Sequence, residues 1–154
     1  MPLSDLLAAK AVFPSLRART KKEAIQVLAR EAASLTGRNE KEIFETLLRR
    51  ERLGSTGIGH GVAIPHAKLP GLQRLVGLFA RLEKPVDFES LDAEPVDLIF
   101  LLLAPEGAGA DHLKALARIA RLLRDETTAE KLRAARDADT LHFLLSAPPA
   151  SNAA

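Results

Sequence analysis

The chain contains no cysteine. That absence excludes disulfides, thiolate nucleophiles and cysteine metal ligands, and it is compatible with a reducing compartment. Long apolar runs are missing too: the longest, Leu98 to Ala104, falls far short of the roughly 20 residues a membrane-spanning helix requires. The amino terminus, Met1-Pro2-Leu3-Ser4-Asp5-Leu6-Leu7, has no basic segment leading into an apolar core, so it does not read as a secretory signal. A cytoplasmic protein without an integral membrane segment is expected. Charge of one sign is scarce as well. Twenty-two lysines and arginines stand against 20 acids, and a net charge of +2 is too small to argue for nucleic acid. No internal repeat, domain linker or low-complexity block interrupts the chain.

What is present suits one globular domain: 154 residues, 47% of them apolar. Ser4 is expected to cap a short helix through Leu7 and Ala8, and Ala11-Val12-Phe13 a short strand ending before Pro14. Thr20-Lys21-Lys22-Glu23 has capping-box spacing; Ala24, Ile25, Leu28, Ala32 and Leu35 follow at helical intervals, and Gly37 supplies a stop. Asn39-Glu40-Lys41-Glu42 repeats the signal ahead of Ile43, Phe44, Leu47 and Leu48, so a second helix should reach about Arg50 and bring Arg49, Glu51 and Arg52 to the edge of a glycine-rich stretch. Leu75–Leu82 and Pro95–Leu103 read as buried strands, with a further short strand at Val86–Phe88 in the charged connection between them. A helix over 111–123 should bury Leu113, Leu116, Ala117, Ile119, Ala120 and Leu123. Thr127 or Thr128 and Asp139 can start two short helices, around 129–135 and 140–146. The domain is thus expected over residues 3–146, with a flexible tail over 147–154.

The stretch Gly54-Ser55-Thr56-Gly57-Ile58-Gly59-His60-Gly61-Val62-Ala63-Ile64-Pro65-His66 is the part built for chemistry. Its glycine density predicts a shaped loop, and Pro65 fixes its own φ and biases Ile64 towards extended geometry, so that His66 is presented with little backbone slack. A Walker loop would need Gly-Lys-Ser/Thr entering a helix, and the dinucleotide fingerprint a different glycine spacing; neither is present. His60, His66, His112 and Asp111 could converge on zinc, which leaves a zinc-dependent hydrolase as an alternative, although no His-x-x-x-His pair supports it. Ser55 and Thr56 lack the strand-nucleophile-helix setting of an activated hydroxyl and read as loop-forming residues. His112 falls in the first turn of its helix, beside the loop leaving a buried strand, where α/β sheets collect ligands. For His66 the bland alternative is a structural histidine bonded to a carbonyl, for His112 an exposed first-turn residue; His142, among leucines on the last helix, reads as structural.

The run Arg50-Glu51-Arg52-Leu53-Gly54-Ser55-Thr56-Gly57-Ile58-Gly59-x-Gly61-Val62-Ala63-Ile64-Pro65-His66 closely resembles the phosphorylation-site motif of the fructose/mannitol class of IIA proteins in the bacterial phosphoenolpyruvate-dependent phosphotransferase system. Within that class it is most similar to the nitrogen-regulatory branch. The resemblance extends to Pro105-Glu106 and to His112-Leu113-x-x-Leu116-Ala117-x-Ile119-Ala120, and covers the chain from about Leu3 to Leu145. It implies a single α/β domain with a central mixed sheet flanked by helices. It also implies that His66 accepts a phosphoryl group, through Nε2, from an HPr-like histidine phosphocarrier, with His112 and Arg50 as its neighbours. Two departures stand out: His60 sits where relatives often carry asparagine or an acid, and Ala67 replaces the glycine usual after Pro-His.

The residue types suit that transfer. A neutral imidazole nitrogen is a competent nucleophile near neutral pH. The phosphoryl group's equatorial oxygens need electrostatic stabilisation. Arg50 and His112 are candidates to supply it, and so is a phosphoryl-binding loop of Ser55, Thr56, Gly57, Gly59, His60 and Gly61 whose backbone donors could turn towards those oxygens. No cofactor or metal is expected. The onward partner is either a IIB domain in sugar uptake or a set of target proteins regulated by phosphorylation; because the chain ends without a fused IIB or membrane segment, and its motif looks nitrogen-regulatory, the regulator is favoured.

Overall fold

Two capped helices set the first half of the chain. In the computed structural model, which describes residues 3–146, the Thr20 hydroxyl accepts the Glu23 N–H at 3.1 Å and opens α1 (Lys21–Thr36). Gly37 closes it in a left-handed conformation, φ 72°, donating to the Ala33 carbonyl. Asn39 caps α2 (Glu40–Leu53) by accepting the Glu42 N–H at 2.9 Å. This helix runs three residues beyond the expected Arg50, because nothing in Glu51-Arg52-Leu53 opposes helix and Gly54 ends it.

The sheet is mixed. Its strands are β1 (Val12–Leu16), β2 (Gly57–Gly59), β3 (Val62–Ala63), β4 (His66–Leu69), β5 (Val76–Val86) and β6 (Val96–Pro105). Their order is β1-β5-β6-β3-β2, with β4 also on β6. β5 runs antiparallel to β6, while β3 and β4 run parallel to it, pairing Val62 with Leu98 and His66 with Leu102. β3 and β4 therefore lie end to end along one edge of β6, separated by Ile64-Pro65. Pro65 cannot donate, but its carbonyl accepts the Leu102 N–H at 3.0 Å and keeps the edge in register.

β6 is buried on both faces, as its unbroken apolar run requires. Ile99, Leu101 and Leu103 pack towards α1 and α2 with Ile25, Leu28, Ile43 and Leu47. Leu98, Phe100 and Leu102 pack towards α3 (Ala110–Arg124), α4 (Glu126–Ala134) and α5 (Ala138–Ser146) with Ile119, Leu123, Leu132 and Leu141. Helices on both sides of one sheet make two cores sharing a central strand.

Several local expectations are corrected. Ser4 lies within a 3-10 turn (Leu3–Asp5), because the N–H groups of Leu6 and Leu7 both donate to the Leu3 carbonyl. β1 continues through Pro14, tolerated because the strand pairs only with β5 and is an edge. The strand expected at Val86–Phe88 is the irregular end of β5, and Phe88 is a buried loop residue. α3 buries His112, Ala115, Ile119 and Leu123 and leaves Leu113 and Ala117 exposed, so its inward stripe is rotated from the expected one. α4 begins at Glu126 and is capped by Asp125, whose carboxylate accepts the Thr128 N–H, rather than by either threonine; Asp137 does the same for α5 through Thr140. The tail expected at 147–154 lies outside the described residues. Among the described residues no helix is long and apolar enough to cross a membrane.

Candidate functional site

The glycine-rich stretch folds as a hairpin instead of an open loop. β2 and β3 pair antiparallel around His60 and Gly61, and the Ile64 N–H donates to the Thr56 carbonyl at 3.0 Å. Two glycines are dictated by contacts. At Gly57 a Cβ would collide with the buried Ser90 side chain, and at Gly61, φ 79°, it would lie 2.6 Å from the Arg133 guanidinium.

Pro65 then delivers His66 to the first position of β4, half-buried. The His66 Nδ1 lies 2.8 Å from the Ile64 carbonyl oxygen. A carbonyl only accepts, so Nδ1 must carry the proton, and in the neutral ring the lone pair is on Nε2. His112 comes from the first turn of α3, 46 positions later. It is buried, not exposed, and its ring meets that of His66 edge to face, with centroids 5.6 Å apart and planes at 77°. The His112 Nε2 is buried without a hydrogen-bond partner among the described residues. A buried polar atom of this kind is costly unless something arrives to satisfy it.

Arg50, in the last turn of α2, donates from Nη1 to the Gly54 carbonyl at 2.9 Å, closing the helix end and holding its guanidinium at the site. Arg50, His66 and His112 line one depression of about 300 Å³ with Thr46, Arg49, Leu53, Ala67 and Lys68. Burial, the largest influence, lowers the His66 pKa below 6.5; the Arg50 charge adds to this, while the Ile64 hydrogen bond and the Glu51 carboxylate oppose it. His112 is lowered by burial first, then by the positive charges of His66 and Lys68. Both rings are therefore biased towards the neutral form that a nitrogen nucleophile needs.

The other residues singled out in the sequence sit elsewhere. The Ser55 hydroxyl donates to the Phe88 carbonyl and accepts the Gly57 N–H, so both groups are engaged within the protein. The Thr56 hydroxyl is turned to Glu51. His60 is exposed at the hairpin tip and lines, with Gly61, Asp92 and Arg133, a separate depression of about 590 Å³. Asp111 lines a third, with Asp5 and Pro105. Among the described residues no three His, Asp or Glu side chains gather as a metal-holding set. The His142 Nε2 lies 2.9 Å from the Leu7 carbonyl, tying α5 to the amino-terminal segment.

Sequence reasoning missed Glu51 as more than an edge charge. It is 6% exposed, binds Thr56 and pairs with Lys21. The signal was available: Ile43, Leu47 and Glu51 recur at intervals of four, which puts a carboxylate on the buried stripe of α2.

Residues 5–147 match the family described as the phosphoenolpyruvate-dependent sugar phosphotransferase system, EIIA 2. The chain belongs to this family. Among curated relatives, the nitrogen regulatory protein of Bradyrhizobium diazoefficiens is 63% identical over 99% of this chain and 100% of its own length. That of Escherichia coli is 37% identical over 95% and 90%, and the fructose-specific EIIABC component of Bacillus subtilis is 34% identical over 92% of this chain and 22% of that larger protein. The crystal structure of the nitrogen regulatory protein IIA-Ntr from Neisseria meningitidis superposes with a TM-score of 0.88 at 32% identity, covering 93% of this chain and 98% of that one. The mannitol IIA of Escherichia coli, solved with phosphorylated IIB, shares the fold at a TM-score of 0.77 and 22% identity, covering 93% and 100%. The EIIA 2 fold thus carries the mixed sheet and the two-sided helical cover seen here.

Proposed function

We propose that this EIIA 2 protein is a phosphohistidine carrier, accepting a phosphoryl group on His66 Nε2 from an HPr-like histidine phosphocarrier and acting as a nitrogen-regulatory switch. The observation that carries the reading is the 2.8 Å contact between His66 Nδ1 and the Ile64 carbonyl, which leaves Nε2 as the nucleophile in a depression shared with Arg50 and His112.

In the transfer, the Nε2 lone pair attacks the phosphorus of the carrier's phosphohistidine. The carrier's N–P bond breaks, its electron pair returns to the carrier imidazole, and a new N–P bond forms on His66. No proton has to move on His66, because Nδ1 keeps its own and donates more strongly to Ile64 as the ring gains positive charge. The N–H groups of Arg50 not used on Gly54 supply donors for the equatorial oxygens, and so does His112 Nε2, unpartnered among the described residues, in the tautomer that carries its proton there. The bound phosphoryl group adds local negative charge, which changes what the surface around the depression can bind. The nitrogen regulatory relatives, above all the one 63% identical, support the regulatory role.

The test is to incubate the protein with phosphoenolpyruvate, the first general phosphotransferase and an HPr-like carrier. Acid-labile phosphate on His66, absent from His66→Ala, is the expected result; uptake by His66→Ala overturns the reading. The 34% identity to a fructose-specific EIIABC component keeps onward transfer to a IIB domain as the second reading, and adding a IIB protein to the labelled form separates the two.

A further inference from the structure

The buried Glu51 carboxylate makes more contacts than any local need explains. Its Oε1 accepts the Thr56 N–H at 3.0 Å and lies 3.0 Å from Lys21 Nζ, and its Oε2 accepts the Thr56 hydroxyl. The side chain is 2% exposed and that of Lys21 14%. A buried ion pair seldom stabilises a fold more than apolar packing of the same volume, so stability alone does not account for its presence. The hydrogen bonds beyond it supply a reason. Thr56, held at both its N–H and its hydroxyl, accepts the Ile64 N–H through its carbonyl at 3.0 Å. Ile64, so fixed, presents its own carbonyl to His66 Nδ1 at 2.8 Å. A continuous line of contacts therefore runs from Lys21 at the start of α1, through Glu51 on α2 and Thr56, to the group that decides which nitrogen of His66 bears the proton.

We infer that Glu51 is the positioning residue for the phosphoryl acceptor: held by Lys21, it fixes Thr56, and through Thr56 the Ile64 carbonyl that leaves His66 Nε2 unprotonated and aimed into the depression. The inference rests on the proposed role of His66. Glu51 touches neither His66 by hydrogen bond nor the transferred group; it acts through Thr56 and through its charge. The charge has the right sign, because the imidazole becomes positive when Nε2 forms its bond to phosphorus, and a buried carboxylate in a water-poor surrounding favours that form. The charged and titratable groups around His66 are Arg50 and Glu51 from α2, Lys68 from β4 and His112 from α3, with Arg49 on the rim. Glu51 is the negative member of this set, and Thr56 is the means by which its position reaches the ring. The same contacts give the Thr56 hydroxyl a role facing into the protein.

The deciding variant is Glu51→Gln, which keeps size and one acceptor and removes the charge. With the wild type as control in the phosphoryl-uptake assay, initial uptake on His66 is expected to slow about tenfold or more, the scale at which small misplacement of a reacting group is felt. The His66 ring titration, followed through its carbon-bound proton resonances by NMR, is expected to move to lower pH in Glu51→Gln and to higher pH in Arg50→Gln. The shift in Glu51→Gln reads the charge of Glu51; the Thr56 variants, which keep the charge, read the positioning. Thr56→Val, which removes the hydroxyl, is expected to slow uptake in the same direction, and Thr56→Ser to restore it. Should Glu51→Gln lose cooperative melting, the Thr56 pair and Lys21→Met carry the same two readouts. Wild-type uptake and an unmoved His66 titration in these variants overturn the inference while leaving the phosphocarrier reading intact. Failure of the wild type itself to take phosphate on His66 overturns both.

Discussion

Two histidines sit six positions apart at opposite ends of one glycine-rich hairpin, and the protein fixes them in opposite ways. At His60 it is the backbone that is held. The N–H donates to Asp92 at 2.9 Å, the carbonyl accepts from Arg133 at 2.7 Å, and φ is 56°, while the residue as a whole is exposed. At His66 the side chain is held, with one ring nitrogen committed to a backbone carbonyl and the ring packed against His112. A held backbone shapes a turn; a ring held at one nitrogen, with the other unbonded among the described residues, has the form that the proposed role of His66 requires. Composition cannot separate the two, since both are histidines beside glycine or proline in the same stretch. What separates them is the identity of the atom that is pinned.

The largest effect is expected at His112. Replacing it with alanine removes the buried neighbour of His66, and phosphoryl uptake should fall about a hundredfold, the cost of losing one well-placed donor; uptake at the wild-type rate together with loss of onward transfer would move its role to the second step. Acidity offers the next test. Both His66 and His112 are held below 6.5 by burial, so the dependence of uptake on pH should have its acid limb below 6.5. Stability follows from the same shifts. An unfolded histidine binds its proton near 6.5, the folded ones only at lower pH, so the unfolded state takes up more protons in that window. The contribution is complete above about 6.5 and is lost as pH falls through the folded values; a urea midpoint that rises on acidification across that window would contradict the assignment.

At the other end of the hairpin, effects should fall on stability. Arg133→Ala removes the donors to both Asp97 carboxylate oxygens and to the His60 carbonyl, and is expected to lower unfolding free energy by about 1–3 kcal/mol in a chemical melt. Its uptake rate should stay within about twofold of wild type; a large fall would tie the hairpin tip to the chemistry. His60→Gly is the mildest change. Relief of a left-handed conformation, about 1–2 kcal/mol, is largely offset by the added freedom of the unfolded chain, so a net shift under about 1 kcal/mol is expected, with uptake unchanged.

Much of the frame was legible in advance because its signals are local. Thr20 with Glu23 and Asn39 with Glu42 are caps whose donors and acceptors lie three residues apart, and the two helices they open form where the spacing places them. The run at Leu98–Leu103 is apolar on both faces because both faces are covered, and the Pro65-His66 pair stiffens the chain at the position it occupies. The misreadings were local signals in competition. Thr127, Thr128 and Asp125 can each cap a helix, and the one whose carboxylate reaches the Thr128 N–H prevails. On α3 the apolar residues outnumber the positions facing the core, so Leu113 and Ala117 are left outside while His112 is taken in.

Long-range packing settles where polar groups end. Sequence alone established the capped helices, the buried strand and a histidine fixed behind a proline, because each depends on residues within a few positions of one another. It could not determine that β3 and β4 share an edge of β6, or that a histidine from α3 lies against the one on β4. Nor could it show that Glu51 turns inward to Lys21 and Thr56 while His60, in the same stretch as His66, is left on a different face. A polar side chain takes its chemistry from the partners that replace water around it, and those partners, 73 positions apart for Arg133 and His60 and 135 for His142 and Leu7, meet only when the chain has folded.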